Sequence, residues 1–350
     1  MEGREFPGLF QVKQQYIGVE IGGTKVQVVA GGADGMIRQR RRFAVDRAKG
    51  ATGIQRQIEQ GLLELLADQK AKGVGVGFGG PVDWKSGRVC CSHHIEGWTG
   101  FDLREWLQKL TRSRVIVDND GNVAALGEAT RGAGVGSNPI FYVTLGSGVG
   151  GGLVVDGRIY HGAMPGEAEI GHVRLDQDGT TLESRCSGWA VDAKIRTLKT
   201  KDASSLLGRL ADDGETAEAR HLSAALEHRD SAAVMIVTEV ARDLAFGLSH
   251  VVHLVHPQMI VLGGGLSKIG EPLRMRVKDA LTQFIMQAFR PGPEVSISTL
   301  GEDAVPVGAL VLAATDTGIP NFEDRAPKEI GISKPGNWTR SPAGTSIEQK

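Results

Sequence analysis

Cysteine is nearly absent. Cys90, Cys91 and Cys186 are the only three in 350 residues, which excludes a disulfide framework and makes a reducing compartment, the cytoplasm, the expected location. Long hydrophobic runs are absent too: no stretch approaches the roughly 20 uninterrupted apolar residues of a membrane span, so no membrane partner is expected. Neither sign of charge is in excess, with 40 Lys and Arg against 41 Asp and Glu and a net charge of −1. That balance argues against a nucleic-acid partner, because nucleic-acid binders carry a basic domain. The one basic cluster, residues 38–42 (RQRRR), points its charges to both faces of a strand and reads as a solvated edge. Residues 1–15 hold charges and a proline but no apolar h-region, so no secretion signal is expected.

What the chain has instead is a repeated glycine turn. Residues 21–29 (IGGTKVQVV) and 145–155 (LGSGVGGGLVV) each read as apolar strand, glycine turn, apolar strand. Glycine permits φ > 0 and lets amide N–H groups approach an anion with no Cβ in between. A dinucleotide fingerprint would need a helix after the glycines, and a P-loop would need G-x-x-x-x-G-K-[ST] before one. Both segments run into β-branched residues, so each is expected to be a hairpin tip, and the pair to belong to two similar lobes facing one phosphate chain. Length agrees: 350 residues exceed one ordinary core and fit two domains of roughly 150, and 41% hydrophobic with 23% charged residues describes a soluble globular protein.

Hydrophobic spacing places the first hairpin over 16–30 and a third strand over 36–45. Ile54, Ile58, Leu62, Leu65 and Leu66 predict a helix over 52–72, stopped by Gly73. A buried strand at 74–78 runs into Gly79-Gly80-Pro81-Val82-Asp83, a turn at a strand end. A helix at 102–110, a strand at 115–117 and a helix at 121–131 complete the first half. The second half opens with the hairpin from residue 140, passes a Gly-rich stretch to 188, and becomes helical, with its longest helix over 234–256. Strand 259–262, a glycine turn, helix 269–289, strand 295–298 and helix 305–314 end the fold. From 317 on, Pro, Gly, Ser and charges without periodicity read as a tail, either disordered or packed over a neighbouring subunit.

These patterns suit phosphoryl transfer, which needs a phosphate cradle, a divalent metal, an in-line hydroxyl and a carboxylate to take its proton. Gly22, Gly23, Thr24 and Lys25 form the first cradle, and Glu20, just before it, can hold a Mg²⁺ hydration shell. Asp118-Asn119-Asp120 lies where a strand gives way to a helix, a usual address for catalytic groups. Asp118 or Asn119 serves as the cap, and the helix N-terminus favours an ionised Asp120 fit to act as a base. Glu169 and His172 stand three residues apart and face one way on a helical turn. Only Cys186 could join them in a zinc site, so polyol recognition is the preferred reading. Gly263-Gly264-Gly265 follows a strand and allows close approach of an adenosine.

With these segments in order, the chain resembles the ROK (repressor, open reading frame, kinase) family of sugar kinases from about residue 16 to 318. Residues 19–25 (VEIGGTK) are similar to the family's first phosphate motif, with Glu where Asp is common. Residues 119–128 (NDGNVAALGE) resemble its N-D-x-N-x-A-A-x-x-E segment, residues 145–152 (LGSGVGGG) its second phosphate motif, Glu169-Ile170-Gly171-His172 its E-x-G-H sugar motif, and residues 261–265 (VLGGG) its adenosine motif. The resemblance implies an α/β, two-lobed actin-like ATPase (ribonuclease H-like) fold with a mixed β-sheet and flanking helices in each lobe and the site in the cleft. It implies a small lobe of residues 1–119 with about 303–318, a large lobe of 120–302, and a tail over 319–350. It further implies an ATP- and Mg²⁺-dependent, glucokinase-like enzyme that phosphorylates the primary hydroxyl of a hexose with Asp120 as base. An N-acetylamino-sugar kinase and an inactive regulatory relative are the alternatives.

Sugar ligands implied by the resemblance are Asn119, Glu169 and His172, with Gly80 and Asp83 lining the pocket; nucleotide ligands are residues 22–25, Gly146, Ser147, Gly148 and Gly263 to Gly265. Two segments depart from the family. Many members ligate zinc with the E-x-G-H histidine and three cysteines of C-x-C-G-x-x-G-C-x-E, whose Glu also touches the sugar. Residues 183–192 (ESRCSGWAVD) keep one cysteine, so no structural zinc is expected, and Asp192 stands in for the Glu. In S-x-N-x-P-G-W the Asn binds sugar hydroxyls; here residues 92–98 (SHHIEGW) put His94 in its place, to make that contact or to mark a different sugar. Family repressors carry a winged helix ahead of the kinase-like part, and about 15 residues before Tyr16 are too few for one. A homodimer or homotetramer is the implied assembly.

Overall fold

The computed structural model describes residues 15–67, 70–92, 95–164, 166, 168–201, 205–212 and 216–315. His94 and the expected tail over 319–350 lie outside them. In the first half, β1 (Tyr16–Ile21), β2 (Lys25–Gly31), β3 (Ile37–Ala44), β4 (Gly73–Phe78) and β7 (Val115–Asn119) form one five-stranded sheet in the order β3-β2-β1-β4-β7. A small hairpin of β5 (Val82–Asp83) and β6 (Arg88–Val89) stands beside it. In the second half, β8 (Ile140–Leu145), β9 (Val149–Val155), β10 (Arg158–Ile159), β11 (Met259–Gly263) and β12 (Glu294–Ile297) are ordered β10-β9-β8-β11-β12.

The two sheets repeat one plan. Each has a central strand paired antiparallel with the strand after it and parallel with a later one, so the hairpin side is antiparallel and the crossover side parallel. Parallel strands are covered on both faces, and β1 and β4 are accordingly buried at every position. The Arg-rich β3 is the open edge, where Arg40 pairs with Asp303 at 2.6 Å and Arg42 with Glu302 at 3.0 Å.

Helices α1 (Gly50–Leu66) and α2 (Leu103–Thr111) flank the first sheet, whose Ile, Val and Leu side chains form a core of their own. The outer face of the second sheet is covered through α4 (Leu182–Cys186), α5 (Gly188–Lys201), α6 (Leu206–Leu210), α7 (Leu222–Glu227), the long α8 (Ser231–Val255) and α9 (Glu271–Phe284). Between the sheets lie α3 (Asp120–Arg131) and α10 (Ala304–Ala314). They meet without side chains in the way, since a Cβ on Gly308 would lie 1.8 Å from Val123 O and one on Gly127 2.3 Å from Ala304 O. This close crossing brings the last helix back to the first half. Among the described residues no helix is long and apolar enough to cross a membrane.

Two helices are shorter than their spacing predicts. The first stops at Leu66 because Ala67 turns to φ 45° with its N–H on Leu63 O; Gly73 instead begins β4, its missing side chain leaving room for Ala313 O. The helix expected over 269–289 is broken at both ends, by Gly270 at φ 76° before α9 and by extended Ile285 after it. The apolar spacing persists through these breaks, which is why periodicity alone ran past them.

Candidate active site

The first glycine turn joins β1 to β2, closed by Gly22 N–H to Lys25 O at 3.0 Å. Glu20 is 8% exposed and accepts from Gln27 Nε2 at 2.6 Å, with Lys25 Nζ at 3.4 Å. Burial raises its pKa, and Lys25 and Gln27 work against that rise. Lys25 also lies 3.7 Å from Glu302, which itself pairs with Lys268 at 3.5 Å. Glu302 therefore links the first loop to the glycine turn of the other half.

Asn119 ends β7 and caps α3, its Oδ1 accepting from Gly121 N–H at 2.8 Å while its Nδ2 donates to Gly80 O at 3.1 Å. Asp120 is the first residue of the helix and accepts from Gly121 N–H at 2.9 Å. A Cβ on Gly79 would stand 3.3 Å from Asp120 Oδ2 and 3.6 Å from Gly22 Cα, so the carboxylate faces the first loop. The sequence expectation of an ionised Asp120 meets a correction here. Burial first, then the nearby charges of Glu20 and Glu169, push its pKa up to about 7 against the hydrogen bond from Gly121. Burial makes the largest contribution, and the two carboxylates brought beside Asp120 from other segments add to it, so that together they outweigh the helix end.

Glu169 caps a 3₁₀ turn over Ile170–His172. In that turn residues i and i+3 eclipse, so Glu169 and His172 share a side. The turn presses against the second loop's outgoing strand: a Cβ on Gly171 would meet Val149 O at 2.2 Å, and one on Gly151 Ala168 O at 2.6 Å. Glu169 and Asn119 line one cavity of ≈ 10 Å³, about the space of a water, together with Trp84, Asp118 and Asn122.

The second loop, Gly146 to Gly148, joins β8 to β9 and is closed by Gly146 N–H to Gly148 O at 2.9 Å. Gly146 and Ser147 line a cavity of ≈ 390 Å³ with Trp189, Ala219, Gly265 and Lys268. Gly263 and Gly264 stand behind this wall. Gly264 has φ 81°, and a Cβ there would lie 2.5 Å from the backbone of Leu145, so both its conformation and its space require glycine.

Two of the expected sugar residues have other partners in this geometry. Asp192 is not beside Glu169: it lines the ≈ 390 Å³ cavity, where its carboxylate accepts from Ala219 N–H at 2.8 Å. Asp83 is engaged by its own turn, accepting from Lys85 N–H at 2.9 Å and Ser86 N–H at 3.1 Å. These bonds hold its pKa low against partial burial.

Sequence reasoning passed over Glu183. It is the second residue of α4, whose first residue, Leu182, donates its N–H to Val173 O just after the Glu169–His172 turn, and its carboxylate accepts from Val149 N–H at 2.8 Å. The family match was carried to Asp192, with Val191 at the gap-free position, and so passed over Glu183; the spacing T-L-E before a helix was the available signal. Cys186 is fully buried on α4 with Sγ 3.6 Å from Val240 O, and Arg185 beside it pairs with Asp243 at 2.8 Å. No group of three His, Cys, Asp or Glu able to hold a metal occurs among the described residues.

Comparison with known proteins agrees with this arrangement. Residues 16–316 match the model of the ROK family. A glucokinase of Thermotoga maritima is 34% identical over 305 residues, covering 85% of this chain and 96% of the relative. A glucokinase of Halalkalibacterium halodurans is 31% identical over 314 residues, covering 84% and 93%. Among solved structures, a ROK family glucokinase from Streptomyces griseus in complex with glucose and AMPPNP superposes with a TM-score of 0.75 at 30% identity, covering 85% of this chain and 99% of that one. The duplicated sheets, the two glycine loops and the cleft carboxylates are thus those of an actin-like ATPase fold, and the chain belongs to the ROK family as a sugar kinase of the glucokinase-like kind.

Proposed function

We propose that the protein transfers the γ-phosphoryl group of ATP to the 6-hydroxyl of glucose or a closely related hexose, with Asp120 as general base. One observation carries this reading: Asp120 faces the first glycine loop with a pKa of about 7. A base of that strength at working pH is matched to accept a hydroxyl proton as the oxygen attacks. Asn119, Glu169 and His172 hold the sugar, and Glu183 takes the place first given to Asp192, since it lies in the first turn of the helix beside the Glu169 turn. The triphosphate lies across both loops with Lys25 at one end, and its nucleoside enters the ≈ 390 Å³ cavity. Glu20 and Asp120, two repelling carboxylates beside the phosphate site, fit a hydrated Mg²⁺, which when bound neutralises phosphate charge.

The two halves act as lobes, residues 1–119 with about 303–318 against 120–302. Their closure excludes water from the transfer. The test is a coupled kinase assay over glucose, mannose, fructose and the N-acetylated amino sugars, with ATP and polyphosphate as donors. Glucose with ATP is expected to give the highest kcat/KM. Preference for an N-acetylated sugar would overturn the substrate, and no turnover of any hexose would overturn the activity.

A further inference from the structure

Trp84 and His161 belong to none of the motifs above, yet they join the two halves of the site. Trp84 follows β5 in the first half and His161 follows β10 in the second. Their rings stack with centroids 4.1 Å apart and planes 17° from parallel. His161 Nε2 lies 2.6 Å from Asp118 Oδ2, and because a carboxylate only accepts, the ring donates. Asp118 is 2% exposed, and its other oxygen accepts from Asn119 N–H at 2.8 Å and Asn122 Nδ2 at 3.0 Å. Trp84 is held in turn by Arg104, which donates to the carbonyls of Trp84, at 2.6 Å, and Lys85.

We infer that His161 is a positioning residue for the sugar: bonded to Asp118 and stacked on Trp84, it clamps the loop carrying Glu169 to the strand end carrying Asn119 and Asp120. The inference rests on the sugar-kinase reading. Trp84 and Asp118, the two groups His161 touches, line the small cavity together with Asn119 and Glu169, and with the imidazole they also line a void of ≈ 180 Å³ bounded by Ile116, Leu126, Ile159 and Leu312. The stacked, hydrogen-bonded ring thus fixes the two side chains that border both the polar pocket and that void. Without it the loop relaxes toward the void, and Glu169 moves away from Asn119. A shift of about 1 Å in a positioning group costs up to ~10²-fold in catalysis. The second glycine loop, on β8 and β9, keeps its own hydrogen bonds, so the nucleotide site is not displaced.

The experiment compares His161→Ala, His161→Gln and Trp84→Phe with wild type in the coupled assay, titrating hexose and ATP separately. His161→Ala is expected to raise the hexose KM about 10- to 100-fold while the ATP KM stays within about twofold. His161→Gln keeps an N–H for Asp118 and is expected to recover much of the loss, which a simple packing role would not allow. If His161→Ala does not fold, His161→Gln and Trp84→Phe decide by the same split in KM values. Hexose and ATP KM values that rise together, or an unchanged hexose KM, would overturn the inference with the kinase reading intact. A wild type that phosphorylates no hexose would overturn both.

Discussion

Asp120→Asn removes a charge that the fold destabilises, and stability and turnover should respond in opposite directions. The ordinary carboxylate value is 3.8 and the folded value is about 7. Below pH 3.8 the group is protonated folded or unfolded and costs nothing. Between 3.8 and about 7 the folded protein holds a proton that the unfolded chain releases, so stability falls as pH rises. Above pH 7 the full cost stands, about three pKa units or about 4 kcal/mol; at pH 5 it is about 2 kcal/mol. Asn keeps the acceptor for Gly121 N–H and cannot ionise, so the variant escapes this cost. For a chain of this size the gain at pH 8 corresponds to a rise in Tm on the order of 5 °C. The same change should lower kcat by roughly 10² to 10⁴ from lost proton transfer. Thermal unfolding of the ligand-free protein from pH 5 to pH 8, with coupled kinase assays on the same samples, measures both. A variant equally stable or less stable than wild type at pH 8, or a stability difference that is flat with pH, would refute the electrostatic argument. Wild-type turnover would refute the base.

Three further outcomes follow from the same geometry. Glu183→Gln should raise the hexose KM about tenfold, whereas Asp192→Asn should leave it unchanged and alter the ATP KM; the reverse pattern in steady-state kinetics would restore Asp192 to the sugar pocket. Gly264→Ala should lower unfolding free energy by about 2 kcal/mol or more, because φ 81° is strained for alanine and its Cβ meets the backbone of Leu145; denaturant titration checks it. Treatment with a zinc chelator should leave Tm unchanged, since Cys186 is packed in the core and its neighbour Arg185 ties α4 to α8 through Asp243.

Much of the molecule was legible in the chain itself. Each glycine turn between β-branched runs became a hairpin tip, because local conformational preference and alternation act over a few residues. The DND segment became strand end, cap and first helical residue, because Asn119 has a side chain able to hold the N–H of Gly121. Helix ends were less legible, as Ala67 and Ile285 show, because apolar spacing continues where the backbone turns. Glu183 was overlooked because the resemblance was carried on to Val191 and Asp192, and its contact with the second loop arises only from the packing of α4 beside the Glu169 turn.

The sequence by itself determined the two glycine loops, the candidate base and the polyol pair, since each is a local pattern of residues with its own chemistry. Only the tertiary structure decided what those residues experience. Burial of Asp120, together with Glu20 and Glu169 brought beside it from separate segments, raises it to about 7 where the helix end alone would lower it. Asp192 came to line the ≈ 390 Å³ cavity, Glu183 reached Val149 N–H, and Trp84 and His161 met, for the same reason. Electrostatic and packing energies depend on distance in space, which folding creates and sequence separation does not record.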